Sequence, residues 1–126
     1  MTRESKTPKK IPTQTKSFQG KAILVGIEFH GNDSLHLANN LKELNGLANT
    51  AHYNVILSIS QKLTRINPKS FIGKGKVEEI FQLIQQFSAD IVIFDENLSP
   101  AQNRNLEHIF KCRVIDRSWL ILEIFG

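Results

Sequence analysis

Ile91-Val92-Ile93-Phe94-Asp95-Glu96-Asn97-Leu98-Ser99-Pro100-Ala101-Gln102 holds a strand, a turn and the opening of a helix, in that order. Ile91 to Phe94 is an unbroken apolar run, the pattern of a strand buried on both faces. Two independent signals start a helix at Ser99. Serine and glutamine stand at capping-box spacing, and proline occupies the first helical position. Leu106, Ile109 and Phe110 give that helix an apolar face. A buried strand leading straight into an amphipathic helix is the building unit of a parallel sheet.

The alternation continues in both directions. Upstream, Ala22 to Ile27 is a second apolar run, and Asp33 can cap a helix bearing Leu35, Ala38, Leu41, Leu44 and Ala48. Val55 to Ile59 is another strand. Val77, Ile80, Phe81, Ile84 and Phe87 mark another helix, with Glu78 and Glu79 in its first turns, where the helix dipole favours negative charge. Downstream, Arg113 to Ile115 forms a short strand and Asp116 caps a helix from Arg117 onward. The order β-α-β-α-β-α-β-α predicts an α/β domain: a four-stranded parallel sheet with helices on both faces. Right-handed crossovers favour strand order 2-1-3-4, with strands one and three at the centre.

The chain has 126 residues, the usual size of one domain. One cysteine, Cys112, excludes an internal disulfide and fits a reducing compartment. His30, His36, His52 and His108 are scattered without zinc-ligand spacing, so no metal site is expected. Residues 1–20 hold basic residues but no apolar core segment, so no secretory leader is expected, and no apolar run approaches the roughly 20 residues that span a bilayer. These features point to a cytoplasmic protein. Leu120-Ile121-Leu122 and Ile124-Phe125 make the final helix apolar around most of its circumference. It could be a C-terminal helix packed on the sheet, but it reads more readily as the first turns of a longer helix, so the chain is expected to be part of a longer protein.

Charge is unevenly placed. Arg3, Lys6, Lys9, Lys10 and Lys16 against Glu4 account for the whole net charge of +4, which leaves the body neutral. Residues 1–20 are Lys/Thr/Pro-rich and read as a disordered basic tail. Within the neutral body, Lys62 to Lys76 carries Lys62, Arg65, Lys69, Lys74 and Lys76 and no acid. Pro68, Gly73 and Gly75 keep part of it irregular. A solvated loop would have this composition too, but the lack of counter-charge favours an anion-binding surface, with a nucleic-acid backbone the natural partner.

No catalytic constellation is visible. Gly73-Lys74-Gly75-Lys76 tempts a phosphate-loop reading, which requires G-x-x-x-x-G-K-[ST]. Ending at Lys76, the pattern meets Ser70 where glycine is needed and Val77 where a hydroxyl is needed. Ending at Lys74, it meets Pro68 and Gly75. Asp95 follows an apolar strand, as magnesium-binding acids of nucleotide hydrolases do, but acids are common where parallel strands meet solvent. Ser99 is a helix cap before it is a nucleophile. Cys112 reads as a small core residue entering a strand, and Trp119 as a core or linker-packing residue.

Three blocks then stand out together: Ile72-Gly73-Lys74-Gly75-Lys76-Val77-Glu78-Glu79, Phe94 to Glu107, and Val114 to Phe125. With these blocks the chain, from about Ala22 to its end, resembles the N-terminal domain of the HflX family of ribosome-associated GTPases. The matching motif positions include Gly73, Gly75, Ser99, Pro100, Gln102, Arg104, Asn105, Asp116 and Arg117. Departures fall at His52, where the family usually has glycine, at Asn97, where it usually has an acid, and at Ser118-Trp119, where Thr-Gly is common. The resemblance implies a domain over 21–115 and the start of a helical linker at 116–126. A separate GTP-hydrolysing domain would hold GTP and Mg²⁺, with no cofactor in these residues. It also implies binding to the large ribosomal subunit and its rRNA, and separation of stalled or idle ribosomes under stress. Two alternatives for the domain stay open: ATP binding, and a regulatory module restraining the GTPase domain.

Overall fold

The computed structural model describes residues 18–29, 31 and 34–126. The expected disordered tail lies outside the described residues, except for Phe18, Gln19 and Gly20. So does the expected helix cap Asp33. Along the chain come β1 (Gly20–Phe29), α1 (Ser34–Thr50), β2 (Tyr53–Leu63), α2 (Lys74–Phe87), β3 (Ile91–Phe94), α3 (Pro100–Phe110), β4 (Arg113–Asp116) and α4 (Arg117–Phe125). The sheet has four strands in the order β2-β1-β3-β4, and every pairing is parallel. This is the topology expected from the sequence, with β1 and β3 in the middle.

The two central strands bury both faces, which is why they read as continuous apolar runs. Ile23, Val25 and Ile27 of β1 join Val92 and Phe94 of β3 in one core with Ile80 and Ile84 of α2 and Leu106 and Phe110 of α3. Ala22, Leu24, Ile91 and Ile93 point the other way, toward Leu44 and Ala48 of α1 and Leu120 of α4. Gly26 lets α1 lie close to β1. A Cβ built there would sit 2.8 Å from Leu37 Cδ1 and from Leu41 Cδ2.

Several boundaries differ from the sequence reading, each for a physical reason. β2 extends well beyond Val55–Ile59. It is an edge strand, so Ser58, Ser60 and Lys62 alternate outward and break the apolar run. Ile56 is the additional residue of a register irregularity between Ala22 and Ile23. α2 begins at Lys74, so its first turn contains no acid, and Glu78 and Glu79 fall beyond it. Cys112 precedes β4 instead of entering it and is only partly buried. Trp119 is 52 % exposed, because α4 rests on the sheet through Leu120 and partly through Ile124. No helix among the described residues is long and apolar enough to cross a membrane.

Candidate nucleic-acid interface

The basic stretch divides into three structural settings. Lys62 is the penultimate residue of β2, exposed, in register with Glu28 of β1. Arg65 and Lys69 lie on the connection between β2 and α2, and Lys74 and Lys76 occupy the first turn of α2. Lys76 Nζ pairs with Glu79 Oε1 at 2.8 Å. Two of the five cations therefore have acidic neighbours, Glu79 one helical turn on from Lys76 and, across the sheet from Lys62, Glu28, which the local sequence did not suggest. Arg65, Lys69 and Lys74 are exposed.

This connection is a built structure and not a slack loop. Asn67 Oδ1 accepts from the backbone N–H of Lys69 at 2.8 Å, an Asx turn. Asn67 and Phe71 exchange both backbone hydrogen bonds, at 3.0 and 2.8 Å. Phe71 is buried and takes a left-handed φ of 66°. Ser70 Oγ donates to the carbonyl of Ile72, and the Gly73 N–H donates to Gln61 Oε1.

The outer side of the turn is fastened to α3. Gln102 Nε2 donates to the carbonyl of Asn67 at 2.9 Å, and Asn105 Nδ2 donates to the carbonyl of Lys69 at 3.1 Å. Between turn and helix runs a groove of about 640 Å³, lined among others by Lys69, Lys74, Val77, Asn105, His108 and Ile109. A second groove, about 520 Å³, follows the far side of α3 along β4 and includes Arg104, Arg113 and Trp119. The exposed crest of α3 between them carries Ala101, Arg104, Asn105 and His108, with Lys111 at its C-terminal cap. The crest's acid, Glu107, is occupied: its Oε2 accepts the N–H of Val114 on the sheet edge at 3.0 Å. Sequence reasoning did not single out His108 or Lys111. The signal was available as their helical spacing from Arg104.

The other motif positions are ties within the fold. Ser99 and Gln102 complete a capping box, Ser99 Oγ to Gln102 N at 3.1 Å and Gln102 Oε1 to Ser99 N at 2.8 Å, with Pro100 at the helix start. Asp116 accepts from Trp119 N at 3.0 Å and from Leu98 N at 2.9 Å. Arg117 donates through Nε to the buried carboxylate of Asp95 at 2.8 Å and through Nη2 to the carbonyl of Asn40 at 3.1 Å. Gly73 is the extended N-cap of α2, and Gly75 lies in its first turn.

Asp95 is committed to Arg117, and the Gly73 amide is committed to Gln61. Among the described residues, no group of three or more His, Cys, Asp or Glu side chains could hold a metal ion. Burial, with Glu107 and Asp90 nearby, pushes the Cys112 thiol up to about 11, which disfavours its thiolate at neutral pH.

Residues 38–126 match the family described as GTP-binding GTPase N-terminal. The GTPase HflX of Flavobacterium psychrophilum is 39% identical over 116 residues, 92% of this chain and 28% of that protein. The GTPase HflX of Escherichia coli K12 is 40% identical over 106 residues, 84% of this chain and 24% of that protein. The chain thus spans about a quarter of the length of these curated relatives. Among solved structures, a GTP-binding protein from Sulfolobus solfataricus in complex with GDP superposes with a TM-score of 0.60 at 25% identity. That match covers 83% of this chain and 30% of the other. The chain belongs to the GTP-binding GTPase N-terminal family, as an N-terminal domain of the HflX type.

Proposed function

We propose that this domain is the RNA-facing module of a cytoplasmic GTP hydrolase that binds the large ribosomal subunit and separates stalled or idle ribosomes under stress. GTP and Mg²⁺ belong to another part of that protein, and residues 116–126 begin the helical linker toward it. The domain contributes binding and no chemistry of its own. One observation carries the reading. On a body with no net charge, Lys69 and Lys74 share a groove wall beside the exposed crest that bears Arg104, His108 and Lys111. Lys74 and Lys76 also stand in the first turn of α2, where the helix dipole disfavours cations, an arrangement that bound phosphate would relieve.

Contacts of this kind are mainly to backbone and position the protein without reading sequence. If about three to five phosphates are engaged, log affinity falls with log salt at a slope of roughly −2 to −4. The test is binding to purified large ribosomal subunits across a salt series. Changing Lys62, Arg65 and Lys69 together to glutamate should weaken binding and flatten the slope while the melting curve stays cooperative. A chain beginning at Lys21 is the control for the basic tail. If the reversal changes nothing while removal of the tail abolishes binding, the tail is the contact and the assignment is wrong.

A further inference from the structure

We infer that the groove between the 67–70 turn and α3 takes one unstacked nucleotide of single-stranded RNA, its phosphate on Lys69 and Lys74 and its base against Ile109. This rests on the RNA-facing reading above and sharpens it: the domain engages a loop, bulge or strand end and not duplex backbone alone.

The groove wall offers what each part of a nucleotide needs. Lys69 and Lys74 supply ammonium groups, suited to phosphate as point charges. Ile109 supplies an exposed apolar surface for a base face, backed by the buried Val77. Asn105 and His108 bring side chains able to hydrogen-bond a base edge. The Nδ2 of Asn105 is already committed to the Lys69 carbonyl, which leaves its Oδ1 as the acceptor. Ile109 is 40 % exposed, whereas Leu106 and Phe110 of the same helix are fully buried. The core does not require an apolar residue at 109, but a base floor does. The volume of about 640 Å³ lies within the range of small-ligand pockets, roughly 300–1,000 Å³.

The wall is also built in advance. Gln102 and Asn105 each fix a carbonyl of the turn, and Asn67 closes the turn on itself. Binding then orders little more than the lysine side chains. An A-form duplex keeps its bases stacked and cannot place one in such a groove, whereas unpaired RNA can splay a base out.

The test uses fluorescence anisotropy of the intact protein with a short single-stranded RNA and with an RNA duplex of equal phosphate number. We expect the single strand to bind about tenfold more tightly. His108→Ala with Ile109→Ala should lower single-strand affinity about three- to tenfold and duplex affinity by a clearly smaller factor. Lys69→Gln with Lys74→Gln should weaken both RNAs and flatten both slopes. His108 is exposed, so His108→Ala alone serves if the double variant does not fold. Equal affinity for the two RNAs, or indifference of the single strand to His108 and Ile109, overturns the groove assignment while RNA binding stands. Failure to bind either RNA overturns the RNA-facing reading and the groove with it.

Discussion

The side-chain amide of Gln102 donates from Nε2 to the main-chain carbonyl of Asn67, 2.9 Å away and 35 positions earlier in the chain. Its other end is equally occupied, since Oε1 accepts the Ser99 N–H at 2.8 Å. One buried side chain therefore caps α3 and anchors the basic turn. Gln102→Ala removes both bonds and strands a carbonyl and an amide, at a cost of about 1–3 kcal/mol. Gln102→Glu separates the two roles: it keeps the acceptor for Ser99 and sets a carboxylate oxygen against the Asn67 carbonyl. We expect amide exchange at Asn67 and Phe71 to accelerate in both variants. If exchange at those amides is unchanged in Gln102→Glu, the tie does not hold the turn.

The sheet centre is equally open to test. Ile93 is fully buried between β1 and β4 and faces α1 and α4. Ile93→Asp places an unpaired carboxylate there, a loss large enough to compete with a whole domain's stability of about 5–15 kcal/mol. Gly26→Val is subtler. It drives a branched side chain into Leu37 and Leu41, and overpacking of this kind costs about 1–3 kcal/mol. Thermal melts should show Ile93→Asp unfolded or insoluble and Gly26→Val lowered but cooperative. An unchanged melting point for either would contradict the close α1–β1 packing or the position of β3.

The sequence showed the centre of this fold more clearly than its rim. Ala22–Ile27 and Ile91–Phe94 are apolar without interruption because both faces are covered, and Ser99, Pro100 and Gln102 mark a helix start through bonds made within a few residues. Local chemistry of that kind is visible in one dimension. The outer half of β2 was not, because an edge strand alternates with solvent and Ser58, Ser60 and Lys62 resemble a loop. At the candidate interface, the lysines were evident, but the ties that shape them were not. Gln102 to Asn67 and Asn105 to Lys69 join segments more than thirty residues apart. Glu28, beside Lys62 on the neighbouring strand, likewise has no trace in the 62–76 stretch.

His52 is a residue working in a conformation that suits glycine. It follows α1 with a left-handed φ of 70°, its N–H bonded to the Asn49 carbonyl at 2.9 Å and its carbonyl accepting from Gln19 N at 2.7 Å. Those bonds fix the entry into β2. A side chain in this region carries a steric cost that glycine lacks, partly offset because glycine is freer in the unfolded chain. His52→Gly is therefore expected to stabilise the domain by up to about 1 kcal/mol. His52→Ala keeps the strain and should give no gain. Equal melting points for the glycine and alanine variants would mean that the backbone angle carries no penalty here.

Glu96 gives a stability that depends on pH with a definite sign. It follows the buried Asp95 at the end of β3. Burial first, and then the Asp95 carboxylate, raise its carboxyl above the ordinary 4.5, while Arg117 and His36 pull the other way. The folded protein therefore holds a proton on Glu96 more readily than the unfolded chain does. The stability linked to that proton is fully present below about 4.5 and is lost as pH rises through the folded-state value. At neutral pH the ionised Glu96 is thus a net cost, which an uncharged amide would not carry. Glu96→Gln should melt higher than the parent at pH 7, and the difference should shrink with falling pH and vanish below the ordinary carboxylate range. Asp95→Asn is the opposite case. It takes from the partly buried Arg117 its nearer carboxylate partner, with Glu43 remaining at 3.6 Å, and should melt lower at pH 7. Parallel melts of the three proteins from pH 7 to acid decide the matter. A Glu96→Gln variant no more stable than the parent at pH 7, or better by the same margin at every pH, would show that Glu96 is not held in the raised state its burial implies.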